Sequence, residues 1–129
     1  MPDRSADWFN QALRDLDQAH LSQDAGHHEW ACFACQQAAE KAVKALHLFV
    51  KQEAWGHVVA RLLVELPDTL HVPANLIEMG RVLDNFYIPT RYANGHADGA
   101  PFEHYGPLQS QEAIQYAGEI LEFVRNQMA

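Results

Sequence analysis

The sequence predicts an all-α protein. Two observations carry this: apolar residues recur three and four apart along five segments, and no stretch alternates with period two for long enough to make a strand. Gly26, Gly56, Pro67, Pro73 and Pro89 punctuate the segments, and no internal repeat or low-complexity tract interrupts them.

Each segment has its own pattern. Ser5 offers a cap for a first helix whose Trp8, Phe9, Ala12, Leu13, Leu16 and Ala19 share one face, before Asp24 and Gly26 break the period. From Glu29 to about Gln52 there is no Gly or Pro, and two adjacent stripes run along the segment. One is Ala31, Ala34, Ala38, Ala42, Ala45 and Phe49; the other is Cys32, Gln36, Ala39, Val43, Leu46 and Val50. An arc that wide is buried on several sides, and the alanines let a neighbouring backbone approach, so this helix is expected at the centre of a bundle. Glu40 one turn before Lys44 reads as an exposed ion pair. Val58, Val59, Leu62, Leu63 and Leu66 mark a short third helix ended by Pro67. Leu76, Met79, Leu83 and Phe86 mark a fourth ended by Pro89. Ser110 offers a cap for a last helix buried through Ala113, Ala117, Ile120, Leu121 and Val124.

With 129 residues, 48% hydrophobic and 20% charged, the chain is expected to form a single helical domain over 1–129. A net charge of −8 excludes a broad basic field for polyanions, so nucleic-acid binding must be local and DNA is not expected as a partner. No apolar run approaches the ~20 residues of a membrane span. The first residues, with Asp3 and Asp7, resemble neither a signal nor a transit sequence. A cytoplasmic protein is expected, in which Cys32 and Cys35 stay reduced.

Pro89 to Pro107 departs from the helical pattern, holding three of the six prolines and three of the seven glycines. Irregular segments longer than ~12–15 residues are usually functional or disordered. This one carries Arg91, Tyr92, Asn94, His96, Asp98, Glu103, His104 and Tyr105, a dense set of side chains able to bind ligands or transfer protons. The sharpest pair is Arg91 with His96. A histidine can take a proton from a ribose 2′-hydroxyl or give one to a leaving 5′-oxygen, and a guanidinium can hold the charge growing on phosphate. These are the parts of a metal-independent ribonuclease, for which no cofactor is expected. Because one histidine cannot serve both steps at once, two copies meeting in a symmetric dimer would supply both. The spacing alone is weak, since six arginines and eight histidines give about one such match by chance. Arg14 and His20 are a second match and lie on opposite faces of the first helix.

Other clusters are read as structural. His28, Cys32 and Cys35 stand at i, i+4 and i+7, but no fourth ligand is placed and Cys32 lies on a core stripe, so no metal is assigned. His27, His28 and His57 are expected at helix starts, and His20, His47 and His71 on the surface. Trp8, Trp30 and Trp55 read as core or interface packing residues at helix ends rather than as a base-stacking platform.

The run Trp30-Ala31-Cys32-Phe33-Ala34-Cys35-Gln36-Gln37-Ala38-Ala39-Glu40-Lys41-Ala42-Val43-Lys44-Ala45 is similar to the second helix of the HEPN domain family. Ala54-Trp55-Gly56-His57 and Leu83-Asp84-Asn85-Phe86-Tyr87-Ile88-Pro89-Thr90-Arg91-Tyr92 extend the resemblance, which spans about Ser5 to Gln127. It implies a four-helix up-and-down bundle with a short additional helix, usually dimeric. It resembles the small stand-alone prokaryotic members paired with a minimal nucleotidyltransferase, in which a HEPN toxin is a ribonuclease neutralised by its nucleotidyltransferase antitoxin. The family signature, an Arg followed by four to six residues and a His, carries over onto Arg91 and His96. In this chain Tyr92 stands where active members commonly have a polar residue, and Asp98 where some toxins carry a modified Tyr. The alternative function is a non-catalytic module binding a nucleotide, RNA or the nucleotidyltransferase itself. There Arg91 would hold phosphate, Tyr87 or Tyr92 would stack on a base, and Asn94, His104 and Tyr105 would complete the surface.

Overall fold

A computed structural model describes residues 3–129, and among them all regular structure is helical. Five α-helices follow one another: α1 (Ser5–Asp24), α2 (His28–Phe49), α3 (Val59–Val64), α4 (Ala74–Asp84) and α5 (Pro107–Met128). Four are long and α3 is the short extra one, so the bundle expected from the sequence is the one observed. Helix α2 packs on each of the other four, and thirteen of its residues are buried. Its alanines Ala31, Ala38, Ala39, Ala42 and Ala45 are fully buried and let α1 and α5 lie close on either side. Leu46, Leu62, Leu63, Leu83 and Ile120 are the largest side chains sealed in the same core.

Local chemistry sets the helix ends. Gly26, at φ +80°, closes α1 in the left-handed conformation, with the His27 amide bonded back to the Ser22 carbonyl at 2.8 Å. Lys51 does the same for α2 at φ 65°, which ends that helix at Phe49 rather than Gln52. The two serines are not caps. Asp3 accepts the Ser5 amide at 2.8 Å, and that bond holds the Asp3 carboxyl below its usual range. At α5, Gly106 precedes Pro107 and the Gln109 side chain accepts the Gly106 amide at 2.8 Å. Ser110 is instead buried and ties α5 to the α1–α2 turn, 3.2 Å from Gln23 Nε2 and 2.8 Å from His28 Nδ1. Helix α3 borrows its cap from α4: Asp84 accepts the Val59 and Ala60 amides at 2.6 and 3.1 Å. Burial raises the Asp84 carboxyl above its ordinary value, opposed by those two donors.

Three sequence expectations are corrected here. His47 is buried, not on the surface; its Nε2 donates to the Leu62 carbonyl at 2.8 Å near the end of α3. Glu40 and Lys44 form their pair at 3.1 Å, but inside the bundle, with Glu40 only 5% exposed. Trp55 is 76% exposed, so it is not a core residue, and Trp8 and Trp30 are also partly open to water.

Cys32 and Cys35 are fully buried, and burial pushes Cys32 up to about 12 and Cys35 further still. His28 is engaged with Ser110, and among the described residues no three His, Cys, Asp or Glu side chains are grouped as a metal site. Both thiols are therefore expected to resist a water-soluble disulfide reagent at pH 8 in the native protein. Both should react within minutes in denaturant, which a spectrophotometric thiol count reads directly. Rapid labelling of either in the folded state would contradict this burial.

Candidate functional site

The segment between α4 and α5 is folded throughout. Two 3₁₀ turns, Ala93–Gly95 and Pro101–His104, shorten it. Side chains then fasten it to its own backbone: Thr90 Oγ donates to the Phe86 carbonyl at 2.6 Å, and His96 Nε2 donates to the Pro89 carbonyl at 2.6 Å. A segment rich in Pro and Gly cannot form long helices, so these bonds satisfy its carbonyls instead.

Arg91 is anchored the same way. Its Nε and Nη2 donate to the Tyr87 carbonyl at 2.9 and 2.6 Å. The guanidinium carbon lies 4.1 Å from the Phe33 ring centre, 5.0 Å from Tyr87 and 5.1 Å from Tyr92. Stacking of a weakly hydrated guanidinium on three aromatic rings stabilises the charge without neutralising it. Among the described residues Arg91 forms no ion pair with a carboxylate. In a chain of net charge −8 that leaves an oriented cation with N–H groups free for an external anion.

His96 is built into a second group a few residues away. Its ring stacks on His104 with centroids 4.0 Å apart and an interplanar angle of 1°, and forms a T-shaped pair with Tyr105 at a centroid distance of 5.8 Å. Because a carbonyl can only accept, His96 Nε2 carries the hydrogen and neutral His96 keeps a lone pair on Nδ1. His104 is held likewise by the Asp98 carbonyl at 2.6 Å. Tyr105 packs against Phe86 and is half-buried, which raises its phenol above the usual value. Tyr92 and Asn94 are exposed, and Tyr87 is half-buried. Arg91 and His96 thus lie on one short stretch, each tied to a different carbonyl and a different set of rings.

Gly95 keeps that stretch compact. A Cβ there would sit 2.9 Å from Pro89 Cα, a backbone atom that cannot swing away. Gly95→Ala is therefore expected to push the turn off Pro89, break the His96 bond and cost about 1–3 kcal/mol. Shifted His96 and His104 ring resonances in the NMR spectrum, with an earlier urea midpoint, would show it.

Three side chains that the sequence does not mark as site residues link to Arg91 directly or through Tyr87. Phe33 supplies the nearest ring, His57 stacks on Tyr87 with centroids 4.8 Å apart, and Glu40 lies 3.1 Å from His57 Nδ1. One signal was available: Gln36 stands on an otherwise apolar stripe one turn before Glu40, and a buried polar group needs a partner. Nothing local in the sequence paired them with His57. Beyond Phe33, a groove of about 480 Å³ runs between α1 and α2, lined by residues including Asp15, His27, Trp30 and Gln37.

Fold and site together define a small helical-bundle protein with an arginine set among aromatic rings. The family model described as HEPN domain matches residues 5–127, and the chain belongs to the HEPN family. It is similar to a protein from Thermus thermophilus whose crystal structure is known, at 46% identity and TM-score 0.96, covering 98% of this chain and 99% of that one. An archaeal HEPN homologue matches at 39% identity and TM-score 0.85 over 100% of both chains. A HEPN domain protein from Thermotoga maritima matches at 32% identity and TM-score 0.74, covering 92% and 94%. No curated protein matches the chain. Among the described residues no helix is long and apolar enough to cross a membrane.

Proposed function

We propose that this HEPN protein is a metal-independent ribonuclease and the toxin-like subunit of a HEPN and nucleotidyltransferase pair. The observation that carries the reading is the Arg91 guanidinium, fixed by the Tyr87 carbonyl and aromatic rings, with no carboxylate bound to it among the described residues. A phosphodiester oxygen is the natural partner for such a group. In this reaction the ribose 2′-oxygen attacks phosphorus and the 5′-oxygen leaves, giving a 2′,3′-cyclic phosphate and a 5′-hydroxyl. Arg91 stabilises the charge on the phosphoryl oxygens. His96 moves one proton through Nδ1. A second proton carrier is needed, and a symmetric dimer would bring another His96 to the cleft. An acidic surface also suits a protein partner that silences the enzyme.

The anchoring of Arg91 and His96 to different carbonyls and different rings favours one other reading: a module in which Arg91 holds the phosphate of a bound nucleotide and exposed Tyr92 stacks on its base. Labelled total RNA, incubated with the purified protein in EDTA beside His96→Ala, separates the two. Cleavage by the parent alone supports the nuclease. Absence of cleavage, with retention of a nucleotide on the parent and not on Arg91→Ala, supports the binding module.

A further inference from the structure

The carboxylate of Glu40 is buried in the bundle and fully engaged. Gln36 Nε2 donates to Oε1 at 3.1 Å, Lys44 Nζ donates to Oε2 at 3.1 Å, and His57 Nδ1 lies 3.2 and 3.1 Å from the two oxygens. Lys44 compensates the charge, so Glu40 is an ionised acceptor and His57 must carry its hydrogen on Nδ1. Neutral His57 therefore keeps a lone pair on Nε2, on a side chain that is 55% exposed. The residue is held at a second point as well, since Gln36 Nε2 also donates to the His57 carbonyl at 3.1 Å. Its ring stacks on Tyr87 at 4.8 Å and 18°, and the Arg91 guanidinium carbon lies 5.0 Å from that same ring. A carboxylate that fixes the tautomer and orientation of an imidazole is the arrangement that prepares a general base.

We propose that Glu40, His57 and Arg91 form a phosphate-handling site, in which His57 takes the second proton-carrying role in place of the His96 of a second copy. The proposal rests on the ribonuclease reading above. His57 Nε2 takes the proton of the ribose 2′-hydroxyl as the 2′-oxygen bonds to phosphorus. The bond from phosphorus to the 5′-oxygen breaks, and that oxygen takes a proton from His96 in its imidazolium form. Arg91 holds the phosphoryl oxygens throughout. Water then returns a proton to His96 and removes one from His57. Glu40 is a positioning residue, acting only through His57.

The test compares the parent protein with His57→Ala on labelled RNA in EDTA, with and without added imidazole, after circular dichroism shows equal helicity. The expected result is cleavage roughly 100-fold slower in His57→Ala, partly restored by free imidazole. A parent that cleaves no faster than His57→Ala overturns the role of His57 and leaves the ribonuclease reading standing. Slow cleavage that imidazole does not restore also overturns it, because a structural contact is not replaced by a base in solution. A parent that cleaves no RNA at all overturns the ribonuclease reading and this proposal with it. For Glu40, imidazole nitrogen shifts by NMR give an independent readout. The parent should show His57 protonated on Nδ1 alone, and Glu40→Gln a mixture of both tautomers; an unchanged tautomer would remove Glu40 from the site.

Discussion

Arg91→Ala is expected to lower RNA cleavage at least 100-fold, and Arg91→Lys to recover little of the loss. The guanidinium does three things at once: it bonds the Tyr87 carbonyl through two nitrogens, stacks on Phe33, Tyr87 and Tyr92, and keeps other N–H groups for an anion. A lysine ammonium is a point charge. It can reach the carbonyl or the phosphate, but not in a fixed plane that serves both. Because Tyr87 and Tyr92 are left without the cation between them, both variants should be checked by circular dichroism and by urea unfolding before rates are compared. The decisive measurement is the initial rate of cleavage in EDTA at saturating and sub-saturating RNA. A loss in kcat with little change in KM would place Arg91 on the transition state. Full activity in Arg91→Ala would remove the residue on which the ribonuclease reading rests.

The largest effect on stability is expected for Leu46→Ala, about 2–5 kcal/mol. Leu46 is fully buried on the central helix, in the same core as Leu62, Leu63, Leu83 and Ile120. Its removal leaves a cavity that many alanine neighbours cannot fill, since Ala38, Ala39, Ala42 and Ala45 have no side-chain freedom to collapse into it. The loss is a large fraction of the ~5–15 kcal/mol typical of a whole domain. Urea unfolding should show a lower midpoint with an unchanged slope. Leu21→Ala is the control: at 65% exposure that side chain should change stability by less than about 0.5 kcal/mol. Equal effects of the two substitutions would mean that α2 is not the centre of the bundle.

The helices were legible because burial in a bundle is periodic. Helices α1, α2 and α5 repeat their apolar residues over twenty residues or more, and that signal exceeds any single misread position. Caps were read less well. Ser5 and Ser110 have the chemistry of a cap, yet Asp3 and Gln109 take the terminal amides, and Asp84 caps a helix twenty-five residues before it in the chain. Local propensity cannot see a partner brought from another element. His47 failed for the same reason: its polarity suggests water, but the Leu62 carbonyl on α3 offers a buried acceptor.

At the candidate site, the sequence by itself determined that Arg91, His96 and His104 share one Gly- and Pro-rich stretch, which stands outside the helical period that builds the core. It also determined the helical bundle and the family. Only the tertiary structure decided that Phe33 from α2 floors the arginine, that His96 and His104 stack, and that Glu40 on α2 orients His57 from the α2–α3 link. The physical reason is that periodicity records which face of a helix is buried, whereas hydrogen bonds and ring stacking depend on which buried faces meet.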